Sequence, residues 1–140
     1  MTALPGASAL KPFRWPRLWL GLWWCAIALV ALGSLLPAML LPMVPAGGDK
    51  LEHLLGYGLL AAIAVQVFAT RAALLRAAVG LVLLGVVLEL AQGLFTATRA
   101  MDAIDALANT LGVALGMATM LAPVRDWLLR AERAGTDQAR

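Results

Sequence analysis

Long apolar runs alternate with short polar breaks along this chain, and that pattern predicts its elements. Apolar residues dominate Leu18–Leu36, Leu51–Ala69, Ala77–Phe95 and Ala103–Ala122. Each run is close to the ~20 residues that carry a helix across a hydrocarbon core. The seven prolines (5, 12, 16, 37, 42, 45 and 123) fall in the tails, the first loop or the end of the last run. None interrupts a run, as regular helices require. Leu, Ala, Val and Gly dominate without strict alternation, so a transmembrane β-barrel fits poorly. The predicted fold class is all-α: a polytopic membrane protein with a bundle of four transmembrane helices over residues 18–124, flanked by tails at 1–17 and 125–140.

Composition agrees with that expectation. Hydrophobic residues make up 62% of the 140 positions and charged residues 14%, too few charges to cover an ordinary water-exposed surface. The net charge of +3 does not point to nucleic acid, because the basic residues sit at run ends rather than along one stripe. Cys25 is the only cysteine, which excludes an intrachain disulfide and a multi-cysteine metal site. Met1–Leu36 resembles a signal peptide, with Lys11, Arg14 and Arg17 ahead of an apolar run. That run is too long and has no clear small-x-small cleavage site, so an uncleaved first span is expected.

Basic residues set the predicted orientation. Lys11, Arg14, Arg17, Arg71, Arg76, Arg125, Arg130, Arg133 and Arg140 fall in the tails and second loop, against Lys50 and Arg99 in the first and third loops. Nine against two predicts a multi-pass membrane protein with both termini cytoplasmic. Trp127 to Arg140 reads as a short helix that frays. Asp49, Glu52, Glu89, Asp102 and Asp105 then gather in the outer half with His53. At 1.5 Å per residue, His53, Glu89 and Asn109 sit roughly 4–11 Å below the outer helix ends, and one shared pocket is the economical reading.

Three motifs carry the candidate chemistry. Asp49 and His53 are four apart and share a helix face. A carboxylate beside an imidazole suits acid–base work or metal binding, although Asp49 with Glu52 also forms a capping box. Glu89 and Gln92 are three apart, with Gly85 on the same face. A carboxylate inside a helix has no capping role, so Glu89 is either functional or a clasp between helices. In the third motif, Asp102, Asp105, Asn109, Gly112 and Gly116 fall within an arc of roughly 80°. Its glycine end favours close helix approach. At its polar end Asp102 is placed to cap, while Asn109 lies too deep and is expected to bond across helices. Arg99, just before this motif, is placed to grip a phosphate or carboxylate through its planar fork.

Asp49-Lys50-x-x-His53, then Glu89-x-x-Gln92, then Arg99 through Asp105 and Asn109-x-x-Gly112 together resemble the signature of the VanZ-like family of small bacterial membrane proteins. The resemblance covers about half the chain, from Asp49 to Gly116, and departs from the family pattern at Ala97-Thr98, where a Pro-Gly turn is expected. It implies a four-helix envelope protein of the bacterial cytoplasmic (inner) membrane. The family takes its name from a factor linked to teicoplanin resistance, and no activity or resistance phenotype transfers with it.

These readings lead to an envelope protein that binds, or acts on, an anionic membrane lipid of the polyprenyl-phosphate type. Lys50 and Arg99 would hold phosphate, with Asp49, Gln92, Asp102 and Asn109 lining the substrate site. His53, Glu89 and Asp105 are the candidate catalytic residues, and the same acids can hold a divalent cation. A proton- or cation-coupled transporter using Glu89 and His53, and a structural subunit clasped by its polar cluster, are the alternatives. A homo-oligomer is compatible with each, and whether the chain is an enzyme stays open.

Overall fold

Local sequence signals set the ends of each helix. In the computed structural model, which describes residues 8–37, 40, 48–95 and 101–137, Pro16 opens α1 (Pro16–Leu35) in its first turn. There its missing N–H is not needed and its fixed φ suits the helix. The chain turns extended at Leu36, immediately before Pro37, which disfavours helix in the residue preceding it. Next come α2 (Gly48–Val67) and α3 (Arg71–Phe95). Asp102 starts α4 (Ala103–Ala118) as expected: its backbone is extended, and its side chain accepts the Ile104 N–H at 2.8 Å. Two short 3₁₀ turns over Thr119–Asp126 lead into α5 (Trp127–Asp137).

The architecture is all-α, with five α-helices among the described residues, and α2 is its centre, packed mainly on α4. Glycines set that contact. A Cβ on Gly112 would run into the Leu54 carbonyl oxygen, and one on Gly116 into that of Gly58. A Cβ on Gly58 would lie 3.3 Å from the Gly112 carbonyl oxygen. The expected small-residue stripe of α4 therefore draws two backbones together, as in small-xxx-small packing. Around this seam Trp23, Tyr57, Leu60, Ala61, Ala64, Ala77, Leu81 and Val113 form the core. Trp23 packs edge-on against Phe68 and donates its indole N–H to the Leu60 carbonyl at 3.0 Å.

The four-span bundle is corrected. Among the described residues, three helical segments are long and apolar enough to cross a membrane: Pro16–Leu35, Arg71–Phe95 and Ala103–Leu121. α2 is not among them. Its apolar side is used inside the protein, where Tyr57, Leu60, Ala61, Ala64, Val65 and Val67 are buried, and its first turns carry Asp49, Lys50, Glu52 and His53. Hydropathy records apolarity but not what covers it, and here other helices do. Two cytoplasmic termini require an even number of crossings, so that orientation goes with the fourth span. The multi-pass inner-membrane placement and the transmembrane and envelope description are withdrawn as well, because a network of charged side chains joins α2, α3 and α4 inside the protein. Side chains such as Leu29 (70% exposed) and Leu94 (76%) leave the outer faces of α1 and α3 apolar, and exposure on this scale marks a contact surface.

The C-terminal helix is anchored rather than frayed. Glu132 accepts from the Arg14 backbone N–H at 2.6 Å and from the Trp19 indole N–H at 2.9 Å. Lys11 is buried beneath it, 2.8 Å from Asp126 and bonded to the Arg125 carbonyl. Gln66, at the end of α2, donates to the Val124 carbonyl and accepts from the Leu128 N–H.

A candidate metal centre between three helices

The close α2–α4 seam brings His53 of α2 onto Asn109 of α4, one turn above Gly112. The imidazole Nδ1 lies 3.0 Å from Asn109 Oδ1. An amide oxygen only accepts, so Nδ1 carries the proton and the lone pair falls on Nε2. Nε2 faces Asp105 Oδ2 at 3.9 Å. Gly85 of α3 leaves room for this arrangement, since a Cβ there would sit 3.0 Å from Asn109 Nδ2 and 3.3 Å from the Tyr57 ring. One helical turn after Gly85, α3 presents Glu89, whose Oε1 lies 3.8 Å from His53 Nδ1.

Glu89 and Asp105 each spend one oxygen on structure, and Asp102 spends both. Glu89 Oε2 accepts the Asp102 backbone N–H at 3.3 Å. Asp105 Oδ1 accepts from Lys50 at 2.9 Å, and Asp102 Oδ2 does so at 2.8 Å. Glu89 Oε1 is left over: it is buried and has no hydrogen-bond partner among the described residues, in a side chain 3% exposed. The Tyr57 hydroxyl, one turn beyond His53 on α2, is buried and unpartnered in the same way. Burying an unmatched carboxylate is expensive unless a cation neutralises it.

Together His53, Glu89 and Asp105 offer one ligand atom each, all within 4.8 Å of one another, and can hold a divalent cation. Around an octahedral ion, adjacent donors lie ~3.0 Å apart and opposite donors ~4.2 Å for bonds of ~2.1 Å, rising to ~3.4 and ~4.8 Å for bonds of ~2.4 Å. All three ligand atoms lie within 4.8 Å of one another, which does not exceed the larger of those spacings. The donor set, one imidazole and two carboxylates, suits a first-row dication. Asn109 supplies the outer bond that orients a metal-ligating histidine. A cleft of about 220 Å³ against α1, lined by Val30, Ser34, Glu52, His53 and Tyr57 among others, borders the cluster.

Convergence of His53, Glu89 and Asp105 from three helices, with Asn109 beneath, matches the expectation from the sequence. The expected anion site does not form. Lys50, cast as a phosphate holder, is enclosed by Asp49 (3.2 Å), Asp102 (2.8 Å) and Asp105 (2.9 Å). Those bonds, to Asp102 first and then Asp105, raise the lysine well above its ordinary pKa. Its hydrogen bonds hold Asp49 and Asp102 below theirs. Four carboxylates against one lysine repel a phosphate, so the lipid-phosphate ligand is withdrawn as function and as partner. Arg99 lies outside the described residues. Gln92 is buried and donates to the Ser34 carbonyl of α1 at 2.7 Å. Lys11, Asp126 and Glu132 had no sequence signal: they meet partners more than a hundred residues away, and no local motif marks them. Comparisons with known protein families, curated proteins and solved structures return no match.

Proposed function

We propose that this protein is a divalent-cation-binding helical protein whose working centre is an ion held by His53, Glu89 and Asp105. The observation that carries the reading is the set of atoms left over once structural bonds are made. Asp105 Oδ2 faces the imidazole Nε2 at 3.9 Å, Glu89 Oε1 lies 3.8 Å from Nδ1 with no hydrogen-bond partner among the described residues, and one ligand atom from each of the three residues lies within 4.8 Å of the others. Three protein ligands leave coordination positions open, as in metal centres that act on a bound molecule rather than in closed structural ones. The bordering cleft reaches His53 and Tyr57, whose hydroxyl has no hydrogen-bond partner among the described residues. In this reading His53, Glu89 and Asp105 are ligands first. Asn109 orients the imidazole, and Asp49, Lys50 and Asp102 shape the surrounding field. The same residues carry the likeness to the VanZ-like family, and membership is part of the proposal on those motifs alone.

The test is isothermal titration of chelator-treated protein with Zn²⁺ and with Mn²⁺. One ion per chain is expected to bind, with affinity falling about a hundredfold in His53→Ala and in Glu89→Gln, in the range by which lost metal-site groups weaken binding. Parent protein that takes up neither ion, or variants that bind as the parent does, would overturn the proposal.

A further inference from the structure

Lys50 and the candidate metal share Asp105. The lysine ammonium holds Oδ1 at 2.9 Å, while the other oxygen faces His53. An ion on Oδ2 would lie about 5 Å from Nζ, one bond length beyond the far side of the same carboxylate. Asp49 and Asp102 complete the lysine's shell from two other directions, so the ammonium occupies the mouth of the acidic cluster as a hydrated cation would. Its stem is four carbons long and flexible, and it can swing off Asp105 while keeping Asp102. We propose that Lys50 is a tethered competitor for the metal site: it satisfies Asp105 when no metal is bound and is displaced from it when a dication enters, which sets the threshold for metal loading. This rests on the metal reading above and adds its regulation.

The physical content is charge against charge. A unit charge about 5 Å from a dication weakens its binding by more than tenfold even at the dielectric constant of water. Removing that charge also frees an oxygen of Asp105 to bind through both oxygens. If Lys50 instead only orients Asp105, removing it loosens a ligand and weakens binding. The two roles therefore predict opposite signs.

The experiment titrates Zn²⁺ into parent, Lys50→Met and Lys50→Arg by calorimetry. Lys50→Met keeps the apolar stem and loses the charge, and is expected to bind at least ten times tighter than the parent. Lys50→Arg keeps the charge and is expected to stay within threefold of the parent. A Lys50→Met protein that binds equally or more weakly overturns the competitor role while leaving the metal site standing. A parent that binds no Zn²⁺ overturns both. In case Lys50→Met fails to fold, the parent supplies a second readout. Modification of Lys50 by an amine-reactive reagent, mapped by mass spectrometry, is expected to speed up at least threefold when Zn²⁺ is added, and an unchanged rate overturns the proposal.

Discussion

Two lysines, one at each end of α2, hold the protein's two polar clusters, and the clusters differ in their balance. At the C-terminal end of α2, buried Lys11 (5% exposed) meets Asp126 and one carbonyl oxygen. There Gln66 and Glu132 use both ends of their side chains on α1, α5 or the segments beside them. At the other end Lys50 faces three carboxylates, a fourth stands behind them, and Glu89 Oε1 and the Tyr57 hydroxyl have no hydrogen-bond partner among the described residues. Paired polar groups staple elements together. A surplus of acceptors around an imidazole asks for a cation. The difference separates the structural end from the candidate functional one, although both look alike in composition.

The substitution that should remove the comparison altogether is Gly112→Val. Its side chain drives into the Leu54 carbonyl and separates α2 from α4, the contact on which the His53–Asn109 pair depends. A loss of more than about 4 kcal/mol is expected, read by chemical denaturation, with no cooperative unfolding transition as the extreme outcome.

A pair of substitutions sharpens the contrast between the ends. Lys11→Met breaks a satisfied pair whose acid can still reach water, since Asp126 is 39% exposed. It should cost about 2 kcal/mol. Glu89→Gln removes a buried carboxylate whose charge burial disfavours, so metal-free stability should hold or rise while metal affinity collapses. Denaturation curves of the two variants, in chelator, give the comparison directly. Equal losses at both ends would erase the distinction.

Much of the second cluster was legible in the sequence. A carboxylate inside an apolar helix has no cap to satisfy, which singled out Glu89. Depth below the helix ends grouped His53 with Glu89 and Asn109, helical phase put Asp105 and Asn109 on one face, and Gly112 with Gly116 on that face marked the close seam. Two things were hidden. Lys50 looked like an anion holder because its three carboxylate neighbours include Asp102 and Asp105, more than fifty residues away, so the sign of the site's field appears only on folding. The apolar run of α2 looked like a span because hydropathy does not record burial against α4. The staple at Lys11 was hidden for the first of these reasons.

Acid should separate the two clusters next. Lys50 holds Asp49 and Asp102 below the ordinary carboxylate range, as Lys11 does Asp126. A folded-state value below the unfolded one, near 3.8 for aspartate, gives stability that is fully present above that pH and lost as pH falls through the folded value. Melting temperature should therefore vary little between pH 5 and 8 on account of these groups, and fall below about pH 4. The gap between parent and Lys50→Met should close in that acid range, because protonated carboxyls no longer need the lysine. A gap that persists at pH 3 would show that Lys50 acts through its stem rather than its charge.

The smallest effect expected is at Gln66→Met, which loses two hydrogen bonds at a half-buried site in the balanced cluster and should cost about 1 kcal/mol. Thermal melts resolve it, and metal affinity should not change. A change in affinity would mean that the two ends are coupled along α2.

The central claim is that the surplus acceptors form one metal site, and crystals grown with Zn²⁺ test it most directly through the anomalous signal at the zinc edge. The account predicts a single strong peak between α2, α3 and α4, within about 2.0–2.2 Å of a His53 nitrogen and of one oxygen each from Glu89 and Asp105. A map with no peak there, or with zinc only on outlying carboxylates such as Asp49, would contradict it.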